Sequence, residues 1–237
     1  MKPVSDFSTI IGITFRQPQL LEQAFVHRSY INEHRDYGLD HNERLEFLGD
    51  AVLELVVTDY LFSKYPDRSE GELTSFRAAL VNMVTLAAVA DTLGLNNYLL
   101  LSKGEARDNG RARQTILADA FEAVVGAIYL DQGYQVASDF IAKNLFDKTE
   151  EIVKKNLWQD PKSTFQEKAQ ENLSVTPAYR VLKELGPDHN KRFVVGLYLA
   201  DELVAEGEGH SKQEAEQAAA QKGLVAKDWT TEKAEVV

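Results

Sequence analysis

The chain reads as two domains of different class: an all-α domain, then a small α+β domain with the element order α-β-β-β-α. Three observations predict this. Apolar residues recur at intervals of three and four from Ile10 to about Leu157, the period of helices buried along one face. Beyond that point, short runs rich in Val, Tyr, Phe and Leu are bracketed by two helical segments. Between the two textures lie a charged stretch, Lys148 to Lys155, and Gln159-Asp160-Pro161, where proline opposes helix continuation. The expected boundaries are 1–147 for the helical domain, 148–160 for a linker, 161–228 for the second domain and 229–237 for a tail.

Within the helical part, breakers at Pro18, Gly38, Pro66, Gly71, Gly94, the Lys103–Gly110 stretch and Gly133 divide the pattern into helices of ordinary length. Leu45, Leu48, Val52 and Leu55 form one expected core stripe, and Leu80, Val84, Ala87 and Ala88 another. In the second domain, Ser163 to Asn172 is expected as a helix capped by Ser163, with Phe165 and Ala169 facing inward. Thr176–Leu185 and Lys191–Ala200 are expected strands, separated by Gly186-Pro187-Asp188-His189-Asn190. Glu202–Glu208 is a third, ended by Gly207 and Gly209. Ser211 then caps a helix from Lys212 to about Ala226, whose Ala215, Ala218, Ala219 and Ala220 suit close packing on a sheet.

Composition narrows the function. At 44% hydrophobic and 27% charged, 237 residues support a sizeable core and a soluble surface. The absence of cysteine excludes a disulfide framework, a thiolate metal site and a cysteine nucleophile, and suits a reducing cytoplasm. Neither a bilayer-spanning apolar run nor a signal peptide is expected, since Asp6 interrupts the N-terminal segment early. The net charge of −11 runs against a polyanion binder. Splitting the chain does not change its sign: residues 1–160 carry 16 Lys or Arg against 24 Asp or Glu, and residues 161–237 carry 10 against 13. Carboxylates that hold cations, and local clustering of Lys and Arg, reconcile such a balance with phosphate binding.

The most informative segment is His41-Asn42-Glu43-Arg44-Leu45-Glu46-Phe47-Leu48-Gly49-Asp50. On a helix, Glu43, Glu46 and Asp50 fall within a stripe roughly 60° wide, apart from the leucine face. Like charges so placed repel unless water, a basic neighbour or a cation offsets them. A second pair, Asp119 and Glu122, projects from an otherwise apolar helix running to Leu130. If the two helices pack together, Glu46, Asp50, Asp119 and Glu122 make an all-oxygen site of the kind hard cations such as Mg²⁺ prefer. The plainer alternative is two solvated amphipathic faces, and spacing alone leaves both open.

HNERLEFLGDAVLEL (41–55) and ILADAFEAVVGAIYLDQG (116–133) resemble the two catalytic segments of the bacterial ribonuclease III family. DPKSTFQEKAQ (160–170), GPDHNKRF (186–193) and GEGHSKQEAEQAAA (207–220) resemble that family's double-stranded RNA-binding domain. The resemblance covers nearly the whole chain in the expected order. It implies a helical endonuclease domain of the ribonuclease III fold, with Glu46, Asp50, Asp119 and Glu122 as metal ligands and Asp50 and Glu122 as catalytic residues. Glu43 and Glu70 match acidic positions that organise the site. It also implies Mg²⁺, with Mn²⁺ substituting, and hydrolysis that leaves 5′-phosphate and 3′-hydroxyl ends. A cytoplasmic homodimer acting on ribosomal precursors and structured messages is implied as well. Phe47 matches an aromatic that inserts into the partner subunit, and on the helical wheel it lies by the acidic stripe rather than the leucines.

For holding RNA, an A-form duplex offers phosphates and 2′-hydroxyls across its minor groove. Ser163, Gln166, Glu167 and Gln170 share or border one helix face suited to sugar contacts. His189 in the interstrand loop, with Lys191 beside it, is expected to reach the next groove. Ser211, Lys212 and Gln213 sit at a helix N-terminus, which favours phosphate. Family members commonly carry two lysines after that serine; Gln213 in place of the second predicts a shallower salt dependence. Arg107, Arg111 and Arg113, read as part of a loop before the second acidic segment, are candidate phosphate clamps. A catalytically silent RNA-binding protein is the rival reading, and the presence of all four acidic groups counts against it. A helical metal-binding scaffold leaves the second domain unexplained, and a DNA nuclease does not suit a domain shaped for A-form geometry.

Overall fold

The computed structural model describes residues 3–107, 110–154, 158, 160–187 and 191–229. Two compact units result, Met1–Trp158 and Gln159–Val237. In the first, the described residues form α1 (Val4–Ile11), α2 (Pro18–Ala24), α3 (Arg28–Glu33), α4 (Glu43–Lys64), α5 (Glu70–Leu80), α6 (Met83–Thr92), α7 (Arg111–Gln132), α8 (Tyr134–Leu145) and α9 (Asp147–Lys154).

Helix α7 is the axis of this unit. Its run from Ile116 to Ile128 is buried almost all round, because small and β-branched residues (Ala118, Ala120, Ala123, Val124, Val125, Ala127) let neighbours approach from every side. The helix in most extensive contact with it is α4. The two cross at a pair of glycines. A Cβ on Gly49 would stand 1.8 Å from the Glu122 carbonyl oxygen, and one on Gly126 would stand 2.2 Å from the Leu45 carbonyl oxygen. Real Cβ atoms do not approach that closely, so the missing side chains set the separation of the two backbones.

Two buried polar side chains tie α4 and α7 to the segment around α2. Asn42, 3% exposed, precedes α4; its Nδ2 donates to the Ala24 carbonyl at 3.2 Å and its backbone N–H to the Val26 carbonyl at 2.9 Å. Near the C-terminal end of α7, Asp131 accepts from the backbone N–H groups of Arg16 and Gln17, each at 2.8 Å. These are donors at the start of α2 with no partner inside the helix, so Asp131 ties α2 to α7.

The second unit is a three-stranded antiparallel sheet in the order β1 (Ala178–Leu185), β2 (Arg192–Leu199), β3 (Glu202–Gly209), packed against α10 (Pro161–Leu173) and α11 (Lys212–Ala226). Phe165, Ala169, Leu197, Leu199, Ala219, Ala220 and Leu224 form its core. Ser211 caps α11, accepting from the Glu214 N–H at 3.1 Å.

Several sequence expectations are corrected. The stretch read as the start of a linker is helical through Lys154: α9 buries Thr149 and Ile152, while Glu150 and Lys154 pair along its exposed side. Helix α10 begins at Pro161, not Ser163. Asp160 is its cap and accepts from the Lys162 N–H; proline suits the first helical position, where its missing N–H would be unpaired anyway. Strand β3 continues through Gly207, which lies against α11: a Cβ there would meet the Ala219 nitrogen at 2.1 Å. Leu80 and Val84 belong to different helices because the chain breaks at Asn82, which caps α6. Leu55 and Val84 are exposed rather than core, at 57% and 61%, and Ala88 is exposed as well. Arg111 and Arg113 lie in the first turn of α7 rather than in a loop.

Candidate active site

Because α4 and α7 meet backbone to backbone at Gly49 and Gly126, the acidic residues one turn away on each helix face one another. Glu46, Asp119 and Glu122 each offer a carboxylate oxygen, and the three oxygens lie within 4.8 Å of one another. Asp50 stands outside this trio and is exposed, but its charge acts on both Glu46 and Glu122.

The electrostatics show what such crowding does. Burial, with Asp119, Glu43 and Asp50 adding repulsion, pushes the Glu46 carboxyl up to about 7. Glu122 is pushed up to about 8, first by burial and then by Asp50, Asp119, Glu46 and Glu54. Burial raises Asp119 as well. The described protein surroundings therefore leave the negative charge uncompensated, and a cation is the natural counter-charge. Three or four carboxylate oxygens on rigid helices fit a hard divalent ion that keeps several waters.

Around the trio, Glu43 is exposed and paired with Arg28 at 3.3 Å, with His41 3.7 Å away. Glu70 is the first residue of α5; its carboxylate accepts from Thr74 at 3.1 Å, and it lines a pocket of about 370 Å³ with Thr58, Phe62 and Arg77. The structure does not bring Glu70 into the trio. Phe47 is 81% exposed and borders a groove of about 620 Å³ with Leu20, Arg44, Leu48 and Leu130. Arg111 is exposed, whereas the Arg113 guanidinium donates to the Glu105 carbonyl at 2.9 Å.

In the second unit, Ser163, Gln166, Glu167 and Gln170 line one open pocket of about 430 Å³ together with Glu171. Lys191 and Lys212 each lie 3.7 Å from Glu184, and Lys212 sits over the Phe193 ring. Gln213 is exposed at the start of α11. His189 lies outside the described residues.

Reasoning from the sequence missed Gly49, Gly126, Asn42 and Glu54. A glycine inside a helical pattern is a signal of close packing, so the first two were open to discovery. Asn42 gave no such signal, because its role rests on carbonyls 16 and 18 residues earlier.

The first unit matches the family model Ribonuclease-III-like over residues 17–149, and the second matches the double-stranded RNA binding motif over residues 161–225. A helical nuclease domain joined to a module for duplex RNA defines a hydrolytic endoribonuclease acting on double-stranded RNA. Two curated relatives named Ribonuclease 3 agree along most of the chain. That of Geobacillus kaustophilus is 50% identical over 90% of this chain and 87% of its own length; that of Protochlamydia amoebophila is 48% identical over 90% and 88%. The nuclease domain of ribonuclease III from Campylobacter jejuni superimposes with a TM-score of 0.54 at 39% identity, covering 60% of this chain and 98% of that domain. The chain belongs to the ribonuclease III family. Among the described residues, no single helix is long and apolar enough to cross a membrane.

Proposed function

We propose that this protein cuts both strands of duplex RNA with Mg²⁺ held by Glu46, Asp50, Asp119 and Glu122, Mn²⁺ substituting. The observation that carries this is the convergence of acidic groups from α4 and α7 onto one point. When bound, the ion supplies Lewis-acid charge to phosphate oxygens and acidifies an attacking water. Glu122 and Asp50 are the proposed catalytic groups; Glu122, half-buried beside Asp119 and Glu46, orients the attacking water. Hydrolysis then leaves a 5′-phosphate and a 3′-hydroxyl. Glu43 and Glu70 organise the approach of the RNA from positions outside the trio.

Duplex RNA is held by Ser163, Gln166, Glu167 and Gln170 across the minor groove, with His189 and Lys191 reaching the next groove and Ser211, Lys212 and Gln213 taking phosphate between them. Arg111, the first residue of α7, is a further phosphate contact. The exposed Phe47 is the proposed dimer contact; the solved Campylobacter jejuni chain likewise has a region involved in dimer formation. The helical domain is proposed to run from residue 1 through α9, and the second domain to span 161–228. Ribosomal precursors and structured messages in the cytoplasm are the proposed targets.

The deciding experiment is cleavage of an end-labelled RNA hairpin with a long perfect stem, in Mg²⁺ or in EDTA, comparing wild type with Glu122→Gln. Mg²⁺-dependent cuts on both strands, lost in the variant while RNA binding persists, are expected. Tight binding without cutting by the wild type in Mg²⁺ or Mn²⁺ would sink this reading.

A further inference from the structure

We propose that the outer face of the three-stranded sheet is a self-association surface whose occupant is the same face of a second copy. Strand side chains alternate between faces, so only one side of β1-β2-β3 packs under the helices. Tyr179, Leu197 and Leu199 belong to that inner side, as does Gly207 against α11. The residues out of phase with them, adjusted by the bulges at Val181/Lys183 and Leu197/Tyr198, make the outer face.

The middle of that face is apolar from Val194 to Tyr198, with the exposed Arg192 at one end of β2. A Cβ on Gly196 would meet Leu203, Tyr198 and Leu182 at 2.9, 2.9 and 3.1 Å, so these three side chains close over the glycine. Leu182 and Leu203 nevertheless remain 37% and 44% exposed. The flanks are charged and opposite in sign. Arg180 and Lys183 stand on β1, Glu206 and Glu208 on β3, and all four are exposed. Among the described residues no ion pair engages any of them; Arg180 lies over the Tyr198 ring at 4.5 Å.

The strand register orders these charges. Arg180 and Glu206 both pair with Gly196, and Lys183 and Glu208 both pair with Val194. These two cross-strand rows therefore run basic, apolar, acidic; the row beyond them pairs Leu185 with Arg192, an exposed base at the end of β2. A two-fold axis lying in the face and parallel to β2 reverses the strand order while keeping each row level. Arg192 at the strand end then faces its counterpart in the second copy, a like-charge contact set against the two opposite-charge pairs on each side of the axis. Arg180 meets Glu206 of the second copy and Lys183 its Glu208, and the leucines and tyrosine that lean over Gly196 meet in the centre. This is the self-complementarity that an isologous contact requires. Three strands of this length cover roughly 400 Å² per copy, on the order of 800 Å² for the pair, which is the scale of a weak, transient contact. It becomes populated at high concentration or where RNA holds two chains close together. The inference rests on the second domain alone and stands apart from the cleavage reading.

Sedimentation velocity of the full chain over a concentration series at low salt tests it. Wild type is expected to associate more with rising concentration than Lys183→Glu, whose two like-charge contacts weaken association about ten-fold. Glu208→Lys should show the same loss. An equimolar mixture of the two variants should regain wild-type association, because each chain then meets its opposite charge. The double variant carrying both changes should regain it too. Superimposable behaviour of wild type and Lys183→Glu, or a mixture that stays as dissociated as its components, would overturn the proposal and leave the face to a different partner or to none.

Discussion

At the scale of single residues, the proposed site holds charge at a cost, and pH exposes it. Glu122 and Glu46 titrate near 8 and 7 in the folded chain, against an ordinary value of 4.5. Between those limits the folded state binds more protons than the unfolded state, so stability falls as pH rises. The contribution is full below about pH 4.5 and is lost by about pH 8. Metal-free wild type should therefore lose melting temperature relative to Glu122→Gln between pH 5 and 8, as calorimetry at matched ionic strength would record. Mg²⁺ at pH 8 should raise the melting temperature of wild type more than that of the variant. An equal shift in both would place the ion elsewhere. Asp131 acts in the opposite sense. Although burial alone would raise it, hydrogen bonds from Arg16, Gln17 and Gln132 hold its carboxyl below the usual range. Asp131→Ala leaves two backbone donors without their partner and should cost about 3 kcal/mol in urea unfolding. Cleavage at low temperature should be little changed, because Asp131 does not belong to the proposed site.

At the scale of elements, the crossing of α4 and α7 decides whether the acidic groups meet. Gly49 and Gly126 are small in sequence terms, yet each would place a Cβ inside a carbonyl of the other helix. Gly49→Ala should force the helices apart, destabilising the domain by about 3 kcal/mol. In the folded fraction it should raise the Mg²⁺ concentration needed for half-maximal cleavage, which a metal titration at low temperature would measure. Wild-type Mg²⁺ dependence in that variant would separate the crossing from the site. The acidic stripe of α4 was legible because 3.6 residues per turn aligns Glu43, Glu46 and Asp50 whatever surrounds them. The cap of α10 was misassigned because Ser163 and Asp160 are both good capping residues; the position of Pro161 chose between them. In the same way α9 looked like a linker because its charges outnumber its apolar residues, and burial of Ile152 is a tertiary matter.

At the scale of the whole molecule, a chain of net charge −11 is proposed to grip a polyanion. It does so with few cations, so the salt dependence of RNA binding should be shallow. Gln213→Lys adds one counterion-releasing contact and should steepen the log–log salt slope by about one. Equilibrium binding of a fixed duplex at several salt concentrations would show this; an unchanged slope would remove Gln213 from the phosphate contact. The sequence by itself determined the two-domain order, the helical and strand periods, the acidic residues and the family, since each of these is written in local spacing and residue type. Only the tertiary structure decided that Glu46, Asp119 and Glu122 share one point, that Gly49 and Gly126 bring them there, that Asn42 and Asp131 tie the two helices to the segment around α2, and that Leu55 faces outward. Those facts depend on which surfaces of distant segments are brought together, and spacing along one chain carries no information about the backbone on the other side of a contact.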